Sequence, residues 1–333
     1  MSSTPWTRRG FIQLTAAAGI ASALPALAAP EPPPETTRIR IHDAPLTCLA
    51  PIYVAEALLK AEGFTDVQYV KTPLAEGPND ALAAGHIDIT QNDAAAFMMS
   101  LDRGAPIVVL GGIHTGCWEL FVQESIHSLL ELKGKKIAAP EKSSRQAFVA
   151  GMISSVGLDP RKDVTWTNDD PALSMKLFEQ GKVDAFMGFV PEPQELRARR
   201  IGRVLINTST DRPWSQYFCC LAAGNREFVR KNPVATKRAL RAILKAADLC
   251  ASAPEQAARL MLDRGVTQRY EYVLQSIKEI GYRQWRSYEA EDTMRFWSLR
   301  LRDVGMVKSD PKKLLAAGTD WRFINELKKE LKG

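Results

Sequence analysis

Ala84-Gly85-His86-Ile87-Asp88-Ile89 and Gln180-Gly181-Lys182-Val183-Asp184-Ala185 read alike: a helix end, a glycine stop, then a short strand carrying an aspartate. Glycine suits the left-handed position just past a helix. Each strand runs into a loop, Gln91-Asn92-Asp93 after the first and Phe189-Val190-Pro191-Glu192 after the second. Two similar α/β units facing one another bring those loops to a common cleft, because ligands of open α/β sheets sit outside the carboxyl ends of the strands. The echo therefore predicts a two-lobed clamp.

Working outward, Arg38-Ile39-Arg40-Ile41-His42 alternates as a first strand. Pro51 to Glu62 carries apolar residues at helical spacing and is closed by Gly63, and Val67 to Lys71 returns as a strand. This rhythm continues to Gly188 and argues for mostly parallel sheets with helices on both faces. After Phe228 the pattern becomes helical. Asn232-Pro233 opens a segment running to Leu262, and Glu291 to Val304 is a further amphipathic helix. These helices are expected to pack on the first lobe and to carry no chemistry.

At the other end, Thr7-Arg8-Arg9-Gly10-Phe11-Ile12-Gln13 resembles the twin-arginine export consensus. A mildly apolar stretch, Leu14 to Leu27, ends at Ala26-Leu27-Ala28, the small-x-small pattern of a signal-peptidase site. The stretch is shorter than the ~20 apolar residues that span a bilayer and contains Pro25. Residues 1–28 are thus expected to be a twin-arginine signal cleaved near Ala28, releasing the rest into the periplasm. Residues 29–37, with Glu31-Pro32-Pro33-Pro34-Glu35, form a proline-rich leader that cannot pair in a sheet.

The formal charge of +6 loses two units with Arg8 and Arg9, and basic and acidic residues are interleaved thereafter. Nucleic-acid binding uses clustered basic surface, so a nucleic-acid partner is not expected. A hydrophobic share of 45% is ample for two α/β lobes. The five cysteines, Cys48, Cys117, Cys219, Cys220 and Cys250, are an odd number, so at least one stays unpaired within a monomer. Their spacing matches no zinc pattern, and they read as buried structural thiols. No metal, cofactor or catalytic residue is expected.

Leu130-Glu131-Leu132-Lys133-Gly134-Lys135-Lys136-Ile137-Ala138, followed by Gly157-Leu158-Asp159-Pro160 and Asp163-Val164, resembles the second lobe of periplasmic solute-binding proteins of the nitrate/sulfonate/taurine class, a group that includes the thiamine-precursor binders. The resemblance runs from about Arg38 to Asn225. It implies an α/β, type II periplasmic-binding-protein fold: two α/β lobes joined by two crossovers, near Gly112 to Glu119 and Trp214 to Leu221, with extra C-terminal helices. Lobe 1 would comprise residues 38–116 and 220–333, and lobe 2 residues 117–219. The function it implies is that of a non-enzymatic, monomeric binder delivering a small solute to an ABC permease and ATPase in the inner membrane.

Position relative to strand ends nominates the contacts. Thr47 follows the first strand, and Gln91, Asn92 and Asp93 stand at the next strand end. Ser143 and Ser144 open a helix from Gln146 to Val156, where hydroxyls and free N–H groups suit an oxyanion. His114, Cys117, Trp118 and Glu119 place imidazole, thiol, indole and carboxylate in one short stretch at a crossover. Phe189, Glu192, Trp214 and Gln216 complete the expected cleft. Its aromatics favour a planar or partly apolar solute, and the acids Asp93, Glu119 and Glu192 argue against a bare small anion. A nitrogen heterocycle or an organic acid or sulfonate fits better.

Two rival readings remain open at this stage. An enzyme on the same fold would use Cys117 as nucleophile with His114 as base, or a metal, as in the fungal thiamine-pyrimidine synthase relatives with their cysteine-dense cluster. Phe218-Cys219-Cys220-Leu221 is only a fragment of such a cluster. A sensory binder docking on a receptor is the other.

Overall fold

The computed structural model describes residues 31–72, 77–266 and 269–331. The expected signal at residues 1–28 lies outside the described residues. The chain divides into two units, Met1–Pro32 and Pro33–Gly333, and every strand and helix among the described residues belongs to the second.

Its strands are β1 (Arg38–Asp43), β2 (Asp66–Lys71), β3 (Ile89–Asp93), β4 (Ile107–Thr115), β5 (Trp118–Val122), β6 (Lys136–Ala138), β7 (Thr165–Thr167), β8 (Ala185–Phe189), β9 (Arg203–Asn207) and β10 (Phe218–Asn225). They form two five-stranded sheets of order β2-β1-β3-β10-β4 and β7-β6-β8-β5-β9. Each sheet joins three parallel strands to an antiparallel pair. The chain leaves the first sheet at Gly116-Cys117, between β4 and β5, and returns through residues 208–217 into β10. These are the two crossovers of a type II periplasmic-binding-protein fold.

The sequence echo has one physical role in both lobes. Asp88 accepts the Arg40 backbone N–H at 2.7 Å and returns its own N–H to the Arg40 carbonyl at 2.8 Å. Asp184 does the same with Lys136, at 2.8 Å and 2.7 Å. The separation is 48 residues in both cases. Each aspartate thus fixes the register of a parallel strand pair where the ladder begins, satisfying an edge N–H.

The helices are α1 (Ala50–Val54), α2 (Glu56–Ala61), α3 (Pro78–Ala84), α4 (Ala94–Asp102), α5 (Ser144–Ser154), α6 (Pro171–Glu179), α7 (Glu192–Ala198), α8 (Arg226–Lys231), α9 (Pro233–Ser252), α10 (Pro254–Asp263), α11 (Tyr270–Glu279), α12 (Ala290–Asp303), α13 (Pro311–Gly318) and α14 (Arg322–Glu330). The segment read as one helix from Asn232 to Leu262 is broken before Pro254, whose ring cannot continue a helix but suits the first turn of the next. The leader is more than a spacer. Glu35 accepts the Val234 and Ala235 N–H groups at 2.9 and 2.8 Å, placing a carboxylate at the start of α9.

The C-terminal helices do not confine themselves to the first lobe. α12 touches both α4 and α5, and its Trp297 lies 4.3 Å, ring to ring, from Phe148 of α5. α11 meets α7, where Glu279 pairs with Arg197 at 2.5 Å and accepts from Gln194 at 2.9 Å. Amphipathic spacing marks a buried stripe but not which neighbour covers it.

Candidate functional site

The carboxyl ends of β1 and β3, the crossover strands β4, β5 and β10, and the start of α5 converge on one buried seam. Antiparallel pairing puts Cys220 of β10 opposite His114 of β4 on one side and Asp93 of β3 on the other. Cys48 joins from the short 3-10 turn Thr47–Leu49. Cys117 has a φ of 92° and follows Gly116 at 87°. A non-glycine residue there is strained, and the strain presents its thiol to the seam.

His114 Nδ1 is 3.6 Å from Cys117 Sγ, and Cys219 Sγ is 3.8 Å from Cys220 Sγ. The Cys48 thiol interacts with those of Cys117 and Cys220. The Gln91 amide donates to the Cys48 carbonyl at 2.8 Å and to His114 Nε2 at 2.9 Å, orienting the ring. Burial pushes the Cys117 and Cys219 thiols up. Burial also opposes ionising Cys220, yet the neighbouring Cys117, Cys219 and Cys48 thiols, with His114 nearby, bring it well below the ordinary thiol value.

At the lobe junction, Asp93 caps α4 by accepting the Ala96 N–H at 2.8 Å, and its other oxygen accepts the Ser144 hydroxyl at 2.6 Å. Burial outweighs these bonds and holds its carboxyl up at about 6. Ser143 caps α5 through the Gln146 N–H, while its hydroxyl donates to the Pro140 carbonyl. The next residue, Arg145, is a buried cation that no sequence signal marked. It grips Glu192 with both terminal nitrogens, at 2.8 and 2.9 Å, and lies over the Trp118 and Phe186 rings.

The other nominated residues distribute as follows. Thr47 is buried beside Cys48 and caps no helix. Asn92 bonds Asn79 at 3.1 Å. Glu119 is raised to about 7 by burial, with Arg197 at 3.2 Å opposing, and bonds Asn207. Trp118 lies between Phe148 and Phe189, tilted to both, with ring separations of 5.1 and 4.4 Å. Trp214 packs among Phe296 and Trp297. Gln216 is exposed, on an outer groove with Arg212 and Tyr217. His114, Cys117, Gln91, Asp93 and Ser144 thus come together, whereas Trp214 and Gln216 stand apart from them. Sequence reasoning missed Tyr282, a C-terminal residue whose ring meets His114 edge-on at 5.2 Å.

Several buried polar atoms of this seam have no partner: Gln91 Oε1, Trp118 Nε1 and Tyr282 Oη. Such atoms are uncommon in folded proteins. A groove of about 390 Å³ opens between the lobes, lined by Asp102 and Arg103 of α4 and by Lys142, Gln146, Arg161 and Trp166. A larger groove of about 710 Å³ lies against α12 and α13, far from the strand ends, so size alone does not mark the site.

These features define a two-lobed α/β fold of the periplasmic-binding-protein type. The chain belongs to the NMT1/THI5-like family, whose pattern it matches over residues 47–257. A chain of Brucella abortus (strain 2308) named as a binding protein is 27% identical over 176 residues, 53% of this chain and 54% of its relative. The match thus spans about half the length of that relative. The nitrate/nitrite binding protein NrtA of Nostoc sp. is 25% identical over 78% of this chain and 65% of its own length. Among solved structures, the periplasmic nitrate-binding protein NrtA of Synechocystis PCC 6803 superposes with a TM-score of 0.76 at 16% identity, covering 90% of both chains. The alkanesulfonate-binding protein SsuA of Xanthomonas axonopodis pv. citri, bound to MOPS, gives 0.69 at 17% identity, over 88% of this chain and 100% of that one. These likenesses establish the fold.

Proposed function

We propose that this protein is the solute-binding component of an ABC importer, working in the periplasm as a monomer and delivering its cargo to a membrane permease and its ATPase. The observation that carries this reading is the junction itself: strand ends from both lobes meet in one buried polar seam, bridged by Ser144 and Asp93. A ligand that binds the two lobes at once biases a hinge between open and closed forms, and the closed form docks on the membrane partner. Relatives and fold neighbours named for nitrate and alkanesulfonate binding support the same role. We take the lobes to be residues 38–116 with 220–333, and 117–219. Residues 1–28 are the twin-arginine signal, cleaved near Ala28.

For the solute we favour a small nitrogen heterocycle or an organic acid or sulfonate, met by Asp93, Ser144, Gln91 and the Trp118 edge. Asp93, whose carboxyl is held up at about 6 and ionised at neutrality, already accepts two hydrogen bonds there, which suits a heterocycle bearing N–H donors better than a bare anion. The His114–Cys117 pair is buried, and burial keeps Cys117 as a thiol, which supports a binding rather than a nucleophilic role. Thermal-shift screening of nitrate, taurine, alkanesulfonates and pyrimidines, with small-angle scattering, tests the proposal. A stabilising solute that also compacts the protein is expected. If no solute raises the melting temperature and scattering never changes, the reading fails. N-terminal sequencing of periplasmic protein tests the signal, which predicts a start just after Ala28.

A further inference from the structure

Cys48, Cys220 and the pair His114 and Cys117 come from three separate segments of the chain, yet the fold gathers their donor atoms together. The imidazole and the thiols of Cys117 and Cys220 all lie within 4.8 Å of one another, and the Cys48 thiol adjoins both sulfurs. Donors around a tetrahedral ion with metal–sulfur bonds of 2.3 Å stand about 3.8 Å apart, so the His114, Cys117 and Cys220 atoms need only small rotations to surround one, with the neighbouring Cys48 thiol as the fourth donor. All four residues are buried, and no cysteine is in a disulfide among the described residues.

Two further observations single out this cluster from ordinary core thiols. Cys117 is held at a φ of 92°, a conformation that costs about 1–3 kcal/mol and persists where the surroundings enforce it. Beside the thiols, Gln91 Oε1 and Tyr282 Oη are buried without a partner. A packed apolar core has no use for either feature.

We propose that Cys48, His114, Cys117 and Cys220 form a closed four-coordinate site for a thiophilic metal ion, with Zn²⁺ the best match to three thiolates and one imidazole. Tetrahedral sulfur and nitrogen donors select Zn²⁺ or Cu⁺ over hard cations. On binding, each coordinating thiol releases its proton to solvent. His114 coordinates through Nδ1, the atom facing Cys117, and its proton moves to Nε2. Turning over the Gln91 amide then offers Oε1 as acceptor to that N–H, the outer-shell bond metal-bound histidines make. His114 and Cys220 stand in the strands by which the chain leaves and re-enters the first sheet, Cys117 in the crossover and Cys48 in the turn after β1, so the ion ties together the floor of the hinge. The site does not depend on the transport reading, which solute screening tests by itself.

The test uses the full exported chain, reduced, stripped with chelator and handled without oxygen. Titration with Zn²⁺ against a competing chelator is expected to give one ion per chain at nanomolar affinity or tighter. Co²⁺ is expected to give an intense thiolate-to-cobalt charge-transfer band, which needs no variant to interpret. Cys117→Ala and Cys220→Ser should weaken Zn²⁺ at least 100-fold, and Cys250→Ser, within α9, should leave it unchanged. Stoichiometric Cu⁺ at the same thiols with no Zn²⁺ upholds the site and reassigns the ion. Less than one ion per chain with either metal, no charge-transfer band, or full affinity in folded Cys220→Ser overturns the proposal.

Discussion

The Ser144 hydroxyl donates to the Asp93 carboxylate over 2.6 Å, joining the first turn of α5 in one lobe to the residue that caps α4 in the other. The position at which an incoming oxyanion would meet α5 is filled by the protein's own carboxylate. A solute arriving there must take over Asp93's partner or be shaped to accept both.

Ser144→Ala should remove this bridge at a cost of about 1.5–3 kcal/mol, as expected for a hydrogen bond to a charged acceptor. Ser143→Ala, which loses a cap and a hydroxyl bond to the Pro140 carbonyl in its own loop but no contact to the other lobe, should cost about 1–2 kcal/mol. Urea unfolding of the two variants decides it, and an unchanged midpoint for Ser144→Ala contradicts the bridge.

Arg145 and Glu192 share two parallel hydrogen bonds, and the arginine side chain is only 10% exposed. Removing one partner strands the other. Arg145→Ala should cost toward the lower end of about 3–5 kcal/mol, because Glu192 retains 22% of its surface. The double variant Arg145→Met with Glu192→Gln should recover much of that loss in denaturant titrations. Additive losses would mean that the pair is not coupled.

At position 117 the metal-free protein should prefer glycine to alanine. Both substitutions remove the thiol, but only glycine adopts a φ of 92° without strain. Cys117→Gly is expected to be about 1 kcal/mol more stable than Cys117→Ala in chelator-treated samples. Alanine equal to or above glycine would show that the backbone is not strained there.

Burial pushes the His42 imidazole below its ordinary value of 6.5, with Asp43 opposing. The unfolded chain therefore takes up this proton before the folded one. The residue's contribution to stability is complete above about pH 6.5 and declines as pH falls through the lower folded value. His42→Leu should lose stability less steeply than wild type between pH 7.5 and 5 in parallel urea melts. Identical slopes would rule out His42 as the source.

The clamp was legible because its signals are local. A glycine stop and an aspartate at a strand start are chemistry within a few residues, and Asp88 and Asp184 act alike in the structure. Several features of the seam were less accessible. Cys48, Cys117 and Cys220 meet only because β10 lies between β3 and β4, and pairing between strands so far apart leaves no spacing to read. Aromatics are ambiguous by type: Trp118 borders the seam while Trp214 fills a core of rings, and both bury large area. Arg145 escaped notice because nothing adjacent in sequence reveals that Glu192 awaits it.

The placement of β10 also bears on how the molecule is assembled. The strand that separates β3 from β4 is synthesised only after every strand of the second sheet, so an emerging chain holds an unfinished first sheet with the interior position beside β3 open while the second is already complete. Non-local pairing of this kind is slow and leaves strand edges exposed until it is made. The second lobe is thus the natural first unit to fold, and the arrival of Phe218–Asn225 is the event that closes the molecule.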